Sequence, residues 1–149
     1  RTVQSGVYQR KIEEAREKIT LHSLATPLLA PMIEEGFFDN KISHEIIGQY
    51  LNDPELQNIE ALILACTHYP LIKKEINDFY KNTMTILDSS QVVAKALKQH
   101  LEESKLLNPG IGPVSHQFLV SDYTTSFEAS TRLFFHEQVN LEKHSLWGS

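Results

Sequence analysis

A cysteine, a threonine and a histidine stand together after a five-residue apolar run. The run covers residues 61–65 and is typical of a buried strand, and Cys66, Thr67 and His68 follow it directly. Pro70 then opens a segment with helical periodicity. Because open α/β sheets bind ligands beyond the carboxyl ends of their strands, this turn is a candidate binding edge.

Cys66 and His68 are side chains that can exchange a proton. A thiol at the start of a helix lies near unpaired backbone N–H groups and the positive end of the helix dipole, and both favour the thiolate. A neighbouring imidazole accepts or returns a proton near neutral pH. Thr67 adds a hydroxyl and a backbone amide suited to a carboxylate. The motif therefore predicts acid–base chemistry at Cys66.

The same residues also have a purely structural interpretation. A single cysteine after an apolar strand is often a small buried hydrophobic residue, and His68 could be a helix cap. No Cys-x-x-Cys, His-Glu-x-x-His or phosphate-binding glycine loop occurs, so the sequence predicts no metal site. The other histidines lack metal-ligand spacing and are predicted to be surface or core residues: His22, His44, His100, His116, His136 and His144.

Length and composition are those of an ordinary soluble domain. The 149 residues, 41% hydrophobic and 22% charged, can form one domain with a sizeable core. The net charge of -5 is not clustered and predicts neither nucleic acid nor membrane as a partner. A single cysteine fits a reducing compartment. The start at Arg1, without methionine, suggests a piece of a longer protein.

Helical and strand patterns alternate along the chain. The predicted helices are 6–19, 28–36, 43–51, 70–80 with Lys73 and Lys74 outside, 92–106, and a last one with Phe127, Leu133 and Phe134 inward. The predicted strands are 61–65, 84–87 and a final one at 116–121, with a short candidate at 21–24. Residues 108–113 form a loop, and a polar tail ends with Trp147 and two more residues. The alternation predicts an α/β fold, with a mostly parallel sheet and helices on both faces.

The sequence Leu-Ala-Cys-Thr-His-Tyr-Pro-Leu at residues 64–71 closely resembles the second cysteine motif of bacterial glutamate racemases. Three further segments resemble that family and occur in the family's order: residues 2–8, 25–36 and 87–94. An ordered set of segments across most of the chain is more specific than any single motif.

The resemblance implies a cofactor-independent enzyme that interconverts L- and D-glutamate between two pseudo-symmetric α/β lobes. It implies that Cys66 is the second catalytic thiol, that His68 assists it and that Thr67 contacts the substrate. Thr2 and Glu34 are implied to lie near the pocket. The implied role is to supply D-glutamate for peptidoglycan in the cytoplasm, and the full-length enzyme is implied to be a homodimer.

In one respect the chain departs from the family pattern. The family's first cysteine lies in an amino-terminal half, whereas this sequence has a single cysteine. We therefore expect the carboxyl-terminal portion of such an enzyme. Residues 1–90 are predicted to form the lobe with the second cysteine, and residues 91–149 to return and complete the amino-terminal lobe. Because racemisation uses a base on each face of Cα, we expect this portion to be inactive by itself.

Three alternatives stay open on the residues alone. An aspartate or hydantoin racemase has related two-cysteine chemistry, although Cys-Thr-His-Tyr-Pro favours glutamate. A non-catalytic α/β interaction module would leave Cys66 as a structural residue. A Cys–His hydrolase is disfavoured, because the sequence offers no evident third residue to orient His68.

Overall fold

The fold is that of a computed structural model, which describes residues 1–16, 18–110, 112–135 and 137–146. The chain divides into two units. The first consists of Arg1–Ile33 and Phe37–Ser89, and the second of Glu34–Gly36 and Ser90–Ser149. Within the described residues each unit contains a two-stranded parallel sheet accompanied by helices. The predicted α/β class with parallel strands is confirmed.

The first unit is organised around two strands joined by a helical crossover. Its elements are helices α1 (Val7–Ala15), α2 (Leu29–Glu34) and α3 (Lys41–Leu51), a 3-10 turn (Pro54–Leu56), strand β1 (Ala61–Leu64), a second 3-10 turn (Tyr69–Ile72), helix α4 (Lys73–Phe79) and strand β2 (Thr85–Asp88). The strands pair in parallel with Leu64 opposite Asp88. Both strands therefore end at the same edge of the sheet, and the residues after β1 lie at that edge.

One hydrophobic core fixes this arrangement. Ile72 is fully buried at 0% exposure, while Ile47 of α3 and Leu64 of β1 are each 2% exposed. Burying a branched aliphatic side chain contributes roughly 1.5–3 kcal/mol. The core therefore holds α2, α3 and α4 against the strand that leads to Cys66. Its other buried members are Leu29, Met32, Ile33, Leu51, Leu56 and Ile76.

A buried polar cluster fastens α3 to α4. The Asn40 side chain caps α3 by accepting from the Ser43 N–H, and the Ser43 side chain is itself fully buried. Glu75 of α4 accepts from Ser43 Oγ at 2.5 Å and from the Asp39 N–H at 2.9 Å. Because a buried carboxylate is costly without donors, these bonds hold the start of α3 against α4.

The second unit leaves most of its apolar side chains exposed. Helix α5 (Ser89–Glu103) leads into it, followed by β3 (Phe118–Val120), α6 (Thr125–Phe135) and β4 (Leu141–Lys143). Strands β3 and β4 pair in parallel. Helix α5 is described throughout and has no buried residue, and its Val92, Val93 and Leu97 are all more than half exposed. Val139 is the buried hydrophobic residue of this unit among its described residues.

Near the amino terminus the predicted elements are partly wrong. Helix α1 ends at Ala15 rather than residue 19, because Arg16 takes a left-handed conformation with φ of 55°. Residues 21–24 are irregular rather than a strand. Helices α2 and α3 overlap their predicted segments. Helix α2 buries Leu29, Met32 and Ile33, and α3 buries Ile47, whereas Leu28 precedes α2 and is exposed.

The helix predicted for residues 70–80 is two elements. A 3-10 turn over Tyr69–Ile72 contains Pro70, which has no N–H to donate, and α4 begins only at Lys73. Lys74 is exposed as predicted, but Lys73 is not: its Nζ lies 3.6 Å from Oδ2 of the buried Asp88.

In the second unit two predictions are wrong. Strand β4 lies in residues assigned to the polar tail, so the strand near residue 118 is not the last. Phe127 and Phe134 are about half exposed rather than inward. Periodicity identifies the apolar face of a helix but not what covers it. The predictions for the Leu133 side chain, His136 and Trp147 lie outside the described residues.

Candidate functional site

The Cys66 turn, defined here as residues 66–69, lies just beyond the end of β1. The Tyr69 N–H closes it by donating to the Cys66 carbonyl at 3.2 Å, and the Leu71 N–H donates to the His68 carbonyl at 3.1 Å. At the same sheet edge, Ser89 Oγ donates to the Leu64 carbonyl at 3.2 Å. The turn is therefore held by its own backbone and follows a strand end that is hydrogen-bonded to Ser89, the first residue after β2.

Within this turn the thiol and the imidazole are in contact. The Sγ atom of Cys66 lies 3.6 Å from Nδ1 of His68, and both side chains are partly buried. Sulfur is a weak donor and acceptor, and imidazole has one nitrogen of each kind when neutral. The tautomer of His68 decides which atom carries the shared proton. The pair can therefore pass a proton between sulfur and nitrogen.

Two expectations about the turn are corrected by this geometry. His68 makes no side-chain cap hydrogen bond to the 3-10 turn that follows it, so the helix-cap interpretation of His68 is not supported. Cys66 does not stand at the start of an α-helix, because α4 begins at Lys73 after that turn. The imidazole, rather than a helix terminus, is the group that contacts the thiol.

The other predicted site residues occupy separate positions. Thr67 lies between Cys66 and His68 in the turn and has an exposed side chain. Thr2 is exposed in the turn before α1, where its carbonyl accepts from Ser5 Oγ at 2.7 Å. Glu34 is exposed at the end of α2 and is grouped with the second unit. The functional roles of these residues stay predictions.

Sequence reasoning missed a polar contact between the Cys66 turn and a distant segment. Tyr69 Oη lies 2.5 Å from Thr26 Oγ1, and these residues are 43 positions apart in sequence. Burial raises the pKa of the Tyr69 phenol above its ordinary value, the hydrogen bond with Thr26 opposes this, and negative charge on Cys66 adds to the increase. No local pattern signals such a pairing, because the two hydroxyls lie in separate segments of the chain.

Among the described residues, no group of three histidine, cysteine, aspartate or glutamate side chains is arranged to hold a metal ion. No helix in the described part of the chain has the length and apolar character needed to cross a bilayer.

Together, the fold and the site define an α/β protein that presents a thiol–imidazole pair at the carboxyl end of a parallel strand. No protein-family model matches the chain. In sequence it is 35% identical over 145 residues to a glutamate racemase of Persephonella marina, which covers 97% of this chain and 53% of that protein. A glutamate racemase of Aquifex aeolicus is 34% identical over 93% of this chain and 50% of its own length.

Solved structures give the same result. A glutamate racemase from Francisella tularensis, solved in complex with D-glutamate, superposes with a TM-score of 0.84 at 34% identity, over 97% of this chain and 55% of the other. A glutamate racemase isoform from Bacillus anthracis gives a TM-score of 0.86 at 28% identity, over 97% and 54%. The chain spans about half the length of the relatives it matches. In sequence and fold the chain is similar to glutamate racemases and matches about half of their length.

Proposed function

We propose that this chain is the carboxyl-terminal portion of a cofactor-independent glutamate racemase, which interconverts L- and D-glutamate and supplies D-glutamate for peptidoglycan in the cytoplasm. The observation that carries the proposal is the 3.6 Å contact between Cys66 Sγ and His68 Nδ1 at the end of β1. The similarity to glutamate racemases, one of them solved with D-glutamate, supports the choice of substrate.

The contact suits the chemistry of racemisation. Inverting Cα removes its hydrogen as a proton on one face and returns a proton on the other, so a base on each face avoids turning the substrate. Cys66 serves as thiolate when it takes the proton and as thiol when it gives one. His68 holds or returns the proton of that sulfur through Nδ1. Thr67, Thr2 and Glu34 are proposed to contribute to the pocket, with Thr67 contacting the substrate.

The second base is proposed to come from the half of the enzyme that this chain does not match. The sequence has one cysteine and therefore supplies one thiol. We propose residues 1–90 as the lobe that carries it and residues 91–149 as a segment that completes the other lobe. The exposed apolar residues of α5 support that packing. The chain alone is then inactive, and the full-length enzyme is proposed to be a homodimer.

Hydrogen exchange at Cα tests the proposal directly. The full-length polypeptide that contains this chain is incubated in deuterated water with L- or D-glutamate, and deuterium incorporation and racemisation are followed by mass spectrometry and optical rotation. The Cys66→Ser variant should lose racemisation by about 10²–10⁴-fold, the usual contribution of one acid–base group. His68→Asn should also lose activity. His22→Asn is the control, because His22 is exposed and its Nδ1 lies 3.9 Å from Oε2 of Glu55, which is also exposed.

Two outcomes would overturn the proposal. Exchange of the Cα hydrogen of aspartate but not of glutamate would reassign the substrate. Full racemisation by Cys66→Ser would leave Cys66 as a structural residue. A further check uses the 149-residue chain alone, which should racemise neither enantiomer.

A further inference from the structure

Two tyrosine hydroxyls hold one short segment of the first unit, residues 26–28. Tyr69 Oη lies 2.5 Å from Thr26 Oγ1 and donates to the Thr26 carbonyl at 3.4 Å. Tyr50 Oη accepts from the Leu28 N–H at 3.2 Å. If the Thr26 hydroxyl donates to Tyr69, the Tyr69 hydroxyl accepts that hydrogen bond and donates its own proton to the Thr26 carbonyl.

Tyr69 connects this segment to the thiol–imidazole pair. Its backbone N–H closes the Cys66 turn on the Cys66 carbonyl, and its side chain attaches the turn to Thr26. The backbone of this segment is restricted, because Pro27 follows Thr26 and its ring fixes the φ of residue 27 at about −65°. Tyr50 adds a second attachment from α3, whose inner face is buried in the core.

The Tyr69 phenol is also sensitive to charge at Cys66. Its pKa is raised first by burial, with an opposing effect from the Thr26 hydrogen bond and a further increase from negative charge on Cys66. Because burial raises this pKa above the ordinary value of a phenol, Tyr69 keeps the proton that it donates to the Thr26 carbonyl.

From these contacts we infer that Thr26 and Tyr69, supported by Tyr50, are positioning residues that fix the Cys66 turn for proton transfer. This inference rests on the proposed racemase function. None of the three is assigned a step in the chemistry, because the groups that move protons are Cys66 and His68. We call the contacts of Tyr69 and Tyr50 with residues 26–28 the clamp. Small displacements of reacting groups reduce rates strongly, so loosening the clamp should lower kcat and leave KM nearly unchanged.

The test uses the full-length polypeptide and a double-mutant cycle. Tyr69→Phe and Thr26→Val each remove one hydroxyl and should lower kcat by about 3- to 10-fold, the effect of one lost hydrogen bond, with little change in KM. The double variant should be no slower than either single variant, because both break the same contact. Thr26→Ser keeps the hydroxyl and should restore wild-type kcat. Tyr80→Phe is the matched control, since the buried Tyr80 hydroxyl has no partner among the described residues.

A second measurement does not depend on racemase activity. The rate at which iodoacetamide alkylates Cys66, read from the Cys66 peptide by mass spectrometry, should change in Tyr69→Phe and Thr26→Val and return to the wild-type rate in Thr26→Ser. Additive losses of kcat, or unchanged kcat and alkylation rates in both single variants, would overturn the inference. Retained racemisation by Cys66→Ser would instead refute the proposed function, and the alkylation rates would still decide whether the clamp exists.

Discussion

The two units are built from the same kinds of elements and differ in how much they bury. In the first, a parallel strand pair shares one core with three helices, and Ile72 is completely enclosed. In the second, a parallel strand pair and two helices leave Leu97 and Phe134 about half exposed. Parallel sheets are normally covered on both faces. The core of the first unit is therefore sufficient to hold the Cys66 turn, whereas the exposed apolar side chains of the second unit are suited to packing against further secondary structure.

The largest expected effect comes from truncating a buried side chain in the core of the first unit. Ile72→Ala should lower the free energy of unfolding by about 2–5 kcal/mol, because it removes a fully buried side chain and leaves a cavity. Leu97→Ala in α5 is the matched change in the second unit and should stay within about 0.5 kcal/mol of wild type. Urea denaturation of the chain measures both.

The Leu97→Ala variant also tests the difference in burial between the two units. If a further layer covers α5 in the full-length polypeptide, Leu97→Ala should there cost about 1–3 kcal/mol, close to the transfer free energy of a buried leucine. An equal, negligible cost in both proteins would contradict the proposed packing of residues 91–149. A large cost in the chain alone would contradict the difference between the units.

The second expected effect concerns the buried carboxylate. Glu75→Ala leaves the Asp39 N–H without its acceptor and leaves the buried Ser43 hydroxyl with the Asn40 carbonyl as its one remaining acceptor, so it should cost about 1–3 kcal/mol. Glu128 of the second unit pairs with Tyr123 and Arg132 near the surface, and Glu128→Ala should cost about 0–1 kcal/mol. Thermal unfolding of the two variants side by side gives the comparison. A cost for Glu75→Ala as small as that for Glu128→Ala would show that the α3–α4 contact does not need this carboxylate.

The smallest expected effect is a dependence of stability on alkaline pH. Burial raises the pKa of Tyr80 above its ordinary value of about 10. The contribution of protonated Tyr80 to the free energy of unfolding is therefore fully present below about pH 10. It is lost as the pH rises through the folded-state pKa, because the unfolded chain releases the proton first. The urea midpoint of unfolding, measured at increasing alkaline pH, follows this loss. Tyr80→Phe should make the midpoint fall less with pH and should not lower stability at pH 7. Tyr123→Phe should reduce the fall less, since the pKa of Tyr123 is raised mainly by an exposed hydrogen bond to Glu128. Equal slopes for the two variants would contradict the role of burial.

Sequence patterns predicted those parts of the molecule that depend on local periodicity. The apolar run before Cys66 is a strand, the segments around Met32 and Ile47 are helices with buried apolar faces, and the thiol and imidazole two positions apart do meet. Each of these follows from the spacing of neighbouring residues. The α/β class follows as well, because alternating strands and helices favour parallel pairing.

The features that the sequence could not predict depend on contacts between residues far apart in the chain or on elements too short to show a pattern. Strand β4 has only three residues, Leu-Glu-Lys, which is too short for a recognisable pattern. The sequence predicts Phe127 and Phe134 of α6 to point inward, but both are about half exposed, because a periodic pattern does not show what covers an apolar face. The contacts of Glu75 with Ser43 and of Tyr69 with Thr26 join residues 32 and 43 positions apart, and no local signal links them.

The position of the Cys66 turn inside the crossover from β1 to β2 has a consequence for local unfolding. The turn, α4 and both strands are contiguous in sequence and share Leu64, Ile72 and Ile76 in one core. Segments of this kind open as cooperative units in native-state hydrogen exchange. We therefore expect the Cys66 turn to loosen in the same fluctuation that separates the strand pair and exposes the strand amides.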